Sequence, residues 1–99
     1  MMTGDKVPAH QALQMGMIYQ VFSDDDYMDE VHALTIKMAQ MPTKGLALTK
    51  AALNKSYVND LQEQLDLEET LQVRAGKTFD FHEGVQAFME KRNPKFRGE

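Results

Sequence analysis

The chain has 99 residues, of which 42% are hydrophobic and 26% are charged, and its formal net charge is −4. This length supports one domain with a modest core, or part of one. It has no cysteine, which excludes disulfides, thiolate metal sites and a cysteine nucleophile. Its acidity argues against a nucleic-acid partner, because neutralising phosphates requires an excess of Lys and Arg. No apolar run approaches the roughly 20 residues that span a bilayer, and no signal-peptide pattern opens the chain, so we expect a cytoplasmic protein without a membrane partner.

The first 22 residues are predicted to form a connector, made of a short helix and an extended run. Pro8 and Gly16 are typical start and stop residues for the helix. Residues 17–22 form the one apolar run typical of a β-strand. Since a single strand cannot form a sheet, we expect this run to pack against a body outside the chain.

Residues 23–99 are predicted to form a helical domain. Ser23 is a candidate N-cap, and the acidic residues after it suit the positive end of a helix dipole. Spacings of four and three place the apolar residues of this helix on one face, and Pro42 ends it. The face consists of Tyr27, Val31, Leu34, Met38 and Met41. Apolar spacing also predicts a helix over residues 43–56.

A longer helix is predicted over about residues 58–75, with Ser56 or Asn59 as its N-cap and Gly76 as its stop. Its apolar residues lie on more than one side, so we expect it to have two helical neighbours.

The last helix is predicted to begin at a capping box, with Asp80 as the cap and Glu83 three residues later. The Asn-Pro pair at residues 93–94 ends it. The chain is therefore predicted to be all-α, with about five helical segments and one short extended run.

The residues themselves supply no reaction centre. Residues 75–78 end like a phosphate-binding loop but lack its second glycine. The acidic run from residue 24 lacks the glycine and glutamate of a calcium loop. His10, His32 and His82 show no metal-ligand spacing. We therefore expect no catalytic residue and no metal site.

Charge is unevenly distributed along the chain. Residues 23–30 carry five acidic groups and no basic one. Residues 91–99 carry Lys91, Arg92, Lys95 and Arg97 against Glu99 alone. Such a cationic tail could hold an anion or a partner's carboxylates, or it could simply complement the helix dipole and remain solvated.

Four segments of the chain carry a resemblance to a known family. They are residues 16–22 (GMIYQVF), 42–54 (PTKGLALTKAALN), 64–68 (QLDLE) and 80–98 (DFHEGVQAFMEKRNPKFRG). In this order they resemble the C-terminal region of the enoyl-CoA hydratase/isomerase (crotonase) superfamily, over nearly the whole chain. The first and third segments look most similar to the branch that isomerises ring-epoxidised phenylacetyl-CoA.

This resemblance implies a small helical trimerisation domain of an acyl-CoA isomerase or hydratase. The parent would be a homo-oligomer, a trimer or a dimer of trimers, that acts on a CoA thioester and requires no cofactor. The family's N-terminal ββα part, with its oxyanion hole and proton-shuttling carboxylates, has no counterpart here. Losing one oxyanion donor typically removes about 10²- to 10³-fold in rate, so the resemblance implies that the 99-residue chain alone is inactive.

The resemblance also implies two residues at the edge of the CoA site. Phe88 matches an aromatic near the adenine, and Lys91 matches a cation near a CoA phosphate. We expect the two to share one face of the last helix, because they are three residues apart. Phe88 could instead pack in the core, and Lys91 could be a solvated lysine. An alternative to the enzyme domain is a free-standing helical interaction module derived from such an enzyme.

Overall fold

The structure, a computed structural model, describes residues 4–99. Five helices follow one another: α1 Ala9–Gln14, α2 Tyr27–Ala39, α3 Thr43–Ser56, α4 Leu61–Gly76 and α5 Phe79–Met89. The described residues contain no strand, so the all-α prediction is confirmed. The chain divides into two compact units, residues 1–34 and 35–99. The predicted division after residue 22 stays a prediction.

The strand predicted over residues 17–22 is absent. Residues 17–19 form bends, and residues 20–22 have no regular secondary structure. A strand is defined by backbone hydrogen bonds to a neighbouring strand, and the described residues supply none. The apolar run thus indicates strand propensity, and a strand would form only with a pairing partner.

The first unit begins with a helix that ends where the sequence predicts. Pro8 is the N-cap of α1. After the helix, Gly16 has φ of +71°, a left-handed conformation that glycine adopts easily. The Gly16 N–H donates to the Leu13 carbonyl and the Met17 N–H donates to the Ala12 carbonyl. These are the two hydrogen bonds of a Schellman motif.

Ser23 acts as the predicted cap, although the regular helix begins a turn later. Its hydroxyl oxygen accepts the Asp26 N–H at 3.2 Å and donates to the Asp26 carboxylate at 2.6 Å. The turn over residues 24–26 then leads into α2.

The predicted cap of α4 is wrong. Asp60 is the N-cap, in a capping box in which its carboxylate accepts the Glu63 N–H at 2.8 Å and Glu63 accepts the Asp60 N–H at 3.1 Å. Ser56 is still part of α3, where its hydroxyl donates to the Leu53 carbonyl. The Asn59 side chain donates to Gln64. Both rival caps are therefore engaged elsewhere.

The predicted cap of α5 is also wrong. Thr78 is the N-cap, and its hydroxyl oxygen accepts the Phe81 N–H at 3.1 Å. Asp80 is instead the second residue of the helix and is only 2% exposed. Its carboxylate does not cap the helix and instead accepts hydrogen bonds from the backbone of residues 97 and 98.

Packing in the second unit centres on α4, which contacts both α3 and α5 as its two-sided apolar pattern predicts. Gln64 links α3 and α4 by donating to the Ala52 carbonyl. Leu71 and Ala87 are the buried hydrophobic residues of the described chain. Large apolar side chains such as Leu61, which is 77% exposed, remain open to solvent. The helices thus enclose a very small core.

Candidate functional site

An apolar cleft of about 460 Å³ lies between α3, α4, α5 and the C-terminal tail, residues 93–99. On α5 its wall is a helical stripe with spacings of three, one and three. The stripe is Phe81, Gly84, Val85 and Phe88. From the tail, Phe96 completes the wall. A Cβ on Gly84 would lie 3.6 Å from the Phe96 ring, which is an ordinary van der Waals distance.

Phe88 lies at the open end of this stripe and is 82% exposed. It therefore does not pack in a core formed by the described residues, which was the alternative reading of this residue. An exposed ring beside an apolar cleft is suited to stacking on a flat ligand.

The three-residue spacing predicts that Lys91 and Phe88 share a helix face, but Lys91 lies beyond the end of the helix. Helix α5 ends at Met89, Glu90 is its C-cap, and Lys91 has φ of +55°. The Lys91 N–H donates to the Phe88 carbonyl and the Arg92 N–H to the Ala87 carbonyl, which forms a Schellman motif. The chain reverses at Lys91. Phe88 is the second-last residue of α5, and Lys91 lies just beyond the end of the helix.

An ion-pair network follows this reversal directly. The Arg92 guanidinium donates to both carboxylate oxygens of Glu83, at 2.6 and 3.0 Å, and to Glu90. The Lys95 N–H donates to the same Glu83 at 2.7 Å. We call this set of residues, Glu83, Glu90, Arg92 and Lys95, the latch. A two-pronged arginine–carboxylate pair is geometrically specific as well as strong.

The pKa values of Glu83, Glu90 and Arg92 are shifted. Hydrogen bonding from the Arg92 side chain and then from the Lys95 backbone lowers the pKa of Glu83 to about 2. Hydrogen bonds from Arg92 and Gln86 lower the pKa of Glu90. The two carboxylates in turn raise the pKa of Arg92. The network therefore stays charged at neutral pH.

Asp80 anchors the rest of the tail. Its two carboxylate oxygens accept the Arg97 N–H at 2.6 Å and the Gly98 N–H at 2.8 Å, and its own N–H donates to the Glu99 carbonyl. The Arg97 guanidinium lies 4.3 Å from the centroid of the Phe79 ring, within cation–π range. The cationic tail is thus bound along α5 and not simply solvated.

The sequence predicts roles for Phe88 and Lys91, which stay predictions, but it does not reveal the residues that organise the helix end around them. Asp80 and Glu83 were interpreted as a capping pair, whereas both bind the tail. Two features of the sequence could have indicated tail binding: the one-turn spacing of the two carboxylates and the basic residues after Pro94. Nothing local distinguishes a carboxylate that caps its own helix from one that binds a segment 9 to 18 residues later.

The remaining candidate chemistry is sparse in the part of the chain that the structure describes. No group of three or more His, Asp or Glu side chains among residues 4–99 could hold a metal ion. His82 makes an edge-on contact with the Phe81 ring, with centroids 5.7 Å apart. None of the helices in this part combines the length and apolarity that crossing a membrane requires.

Comparisons with known proteins place this geometry in a family. The family model for enoyl-CoA hydratase/isomerase matches residues 1–99. The chain is 44% identical over 95 residues to a 1,2-epoxyphenylacetyl-CoA isomerase of Escherichia coli K12, covering 96% of this chain and 36% of that protein. It is 36% identical over 97 residues to a 2,3-dehydroadipyl-CoA hydratase of the same organism, covering 98% and 38% of the two chains.

Solved structures agree with the sequence match. An enoyl-CoA hydratase subunit from Geobacillus kaustophilus superimposes with a TM-score of 0.90 at 33% identity, covering 98% of this chain and 38% of that one. The chain thus spans somewhat more than a third of the length of these relatives. On a family match along its entire length, together with this shared fold, the chain belongs to the enoyl-CoA hydratase/isomerase family.

Proposed function

We propose that this chain is an assembly and substrate-edging domain of an acyl-CoA isomerase of the 1,2-epoxyphenylacetyl-CoA type. The 44% identity to such an isomerase is the observation that carries the choice of reaction, since a probable enoyl-CoA hydratase and a 2,3-dehydroadipyl-CoA hydratase are 39% and 36% identical over similar lengths. Catalysis would depend on residues like those in the remaining length of the relatives. No catalytic residue is assigned to the 99-residue chain.

The contribution to substrate binding would come from the end of α5. The exposed Phe88 ring would stack on the adenine of CoA, which a flat aromatic surface favours. Lys91 would pair with a CoA phosphate, because an ammonium group is a compact cation for an anionic ligand. These contacts bind the part of the substrate that does not react. They should therefore affect substrate binding more than the chemical step.

The contribution to assembly would come from the apolar faces that the described residues leave open. Leu61, Val73 and Met89 are 77%, 51% and 76% exposed, respectively. Burying such side chains between copies would be favourable at about 25 cal/mol per Å² of apolar surface removed from water. A homo-oligomer, with a trimer as its basic unit, is part of the proposal, as is a cytoplasmic location.

A chimera tests the proposed reaction and the role of Phe88. The matched region of the Escherichia coli isomerase would be replaced by this chain, and turnover of 1,2-epoxyphenylacetyl-CoA would be measured. We expect an active chimera in which Phe88→Ala raises KM several-fold and changes kcat little, since uniform binding is lost. Tyr57→Ala, at an 89% exposed aromatic residue outside the cleft, is the control and should change neither constant.

Two results would contradict this function. A folded chimera of the native oligomeric state that turns over no acyl-CoA would remove the enzyme assignment. A Phe88→Ala chimera with a large fall in kcat at constant KM would place Phe88 in the chemical step and contradict its assigned role.

The alternative function is that of a free-standing helical interaction module. The open apolar faces favour it, because they would also suit a protein partner. The same chimera separates the two functions, since an interaction module would not restore turnover when grafted onto the catalytic part of the relative.

A further inference from the structure

Lys91 occupies an unusual backbone conformation. It is the one residue other than glycine with a positive φ among residues 4–99. The position after a helix C-cap strongly favours glycine, because a side chain with a Cβ clashes in the left-handed region. Non-glycine residues in this region persist where the surroundings fix them, and they are concentrated at functional sites. The conformation of Lys91 therefore requires a structural cause.

The latch flanks Lys91 on both sides. On the helix side of Lys91, Glu90 is the C-cap, and on the tail side Arg92 is held by two carboxylates. Glu83 lies nine residues before Arg92 and also accepts the Lys95 N–H. The Glu83 side chain is 10% exposed, whereas the Arg92 side chain is 36% exposed. The tail can reach Glu83 only if the chain reverses at Lys91.

We propose that Glu83 and Arg92 are positioning residues, which hold Lys91 in its left-handed conformation and so fix the Phe88–Lys91 pair for binding the adenosine phosphate end of CoA. This inference rests on the proposed function, because it assumes that Phe88 and Lys91 meet that ligand. Arg92 itself does not contact CoA in this proposal, since its guanidinium is already bonded to Glu83 and Glu90. It acts through Lys91.

A purely structural role for the latch makes a different prediction. If the latch only tied down the tail, its loss would reduce stability, and any effect on CoA binding would be the same whether or not the Lys91 ammonium group is present. If the latch positions Lys91, loss of the latch should weaken CoA binding only in chains that retain the Lys91 ammonium group. A double-mutant cycle on affinity separates these two roles, because coupling is expected only between groups that act together.

The experiment is a calorimetric titration of the chimera described above with coenzyme A, using Arg92→Lys and Glu83→Gln, with NMR spectra of the 99-residue chain as a second readout. Arg92→Lys keeps the charge but removes the two-pronged geometry, and Glu83→Gln removes the carboxylate at nearly constant shape. We expect each to weaken binding about 3- to 10-fold in the wild-type background and to have little effect in the Lys91→Ala background. Each should also weaken the intraresidue Hα–HN cross-peak of residue 91, which is strong at positive φ. Lys50→Gln, at an exposed lysine of α3, controls for loss of general charge attraction.

The remaining outcomes overturn the inference in distinguishable ways. Equal losses of affinity with and without the Lys91 ammonium group would show that the latch acts by another route. Unchanged affinity in both latch variants, with binding weakened by Lys91→Ala and Phe88→Ala, would remove the positioning role and leave the proposed function intact. Affinity of the chimera for coenzyme A that is unchanged by both Phe88→Ala and Lys91→Ala would overturn both.

Discussion

At the scale of single residues, the most informative side chains are two carboxylates on α5. Asp80 and Glu83 lie one helical turn apart, which is the spacing of a capping box. In the structure, Thr78 satisfies the cap, and each carboxylate accepts backbone N–H groups from the tail. A carboxylate accepts bonds from whichever donors reach it, so its local sequence pattern does not decide its role.

Because the pKa of Glu83 is lowered, we expect only strong acid to break the latch. Because its pKa is about 2 in the folded chain against an ordinary 4.5, its contribution to stability is full above about pH 4.5 and is lost as the pH falls through about 2. We expect exchange of the Lys95 amide hydrogen, corrected for intrinsic rates, to lose protection in this window. Glu83→Gln should abolish that acid-dependent step, and Glu69→Gln on the exposed face of α4 should retain it. Protection of Lys95 that is independent of pH would contradict the assigned bond.

Gly98 is the tail residue least able to accept a side chain. It has φ of +77°, and a Cβ there would lie 2.6 Å from the Thr43 hydroxyl oxygen. Gly98→Ala should therefore loosen the tail at a cost of about 1–2 kcal/mol, measured by chemical unfolding.

Gly76 offers a matched control for Gly98. A Cβ at Gly76 would meet nothing within 4 Å, and the residue lies in the last turn of α4. Gly76→Ala should be neutral or slightly stabilising, since alanine favours helix. Equal costs for the two substitutions would show that the tail contact at Thr43 carries no energy.

At the scale of secondary-structure elements, periodicity located the helices better than it located their caps. Helix α3 runs over Thr43–Ser56, as its apolar spacing predicts. The start of α4 differs because three candidate polar residues, Ser56, Asn59 and Asp60, stand close together. The one that is followed by Glu63 at the third helical position gains a reciprocal second bond and becomes the cap.

The capping box of α4 can be tested against its rival. Asp60→Ala removes the acceptor for the Glu63 N–H and should lower the free energy of unfolding by about 0.5–2 kcal/mol in a urea titration. Ser56→Ala removes a hydroxyl that bonds back into α3, so its effect should be clearly smaller. The opposite order would assign the cap to Ser56.

At the scale of the whole molecule, the helices enclose few apolar side chains of their own. Among residues 4–99 the buried hydrophobic residues are Leu71 and Ala87, while many large apolar side chains are more than half exposed. Exposed apolar surface on this scale is typical of an interface.

We therefore expect the chain to self-associate. Light scattering should give a mass that rises with concentration above the 11.3 kDa of one chain. Leu61→Glu, at the most exposed leucine of α4, should shift the equilibrium toward the monomer, whereas Thr70→Glu adds the same charge at an exposed polar position and should not. A monomer at millimolar concentration would contradict the prediction.

The sequence by itself determined the all-α class, the length of α3, the two neighbours of α4 and the resemblance that the family match later confirmed. These features depend on periodicity and on residues a few positions apart, which act on the chain locally. Only the tertiary structure decided the absence of the strand, the left-handed turn at Lys91 and the binding of the tail by Asp80 and Glu83. The tail contacts depend on partners many residues away, and a strand depends on a pairing partner that the described residues do not supply. Competition among possible partners is settled only when the chain folds back on itself.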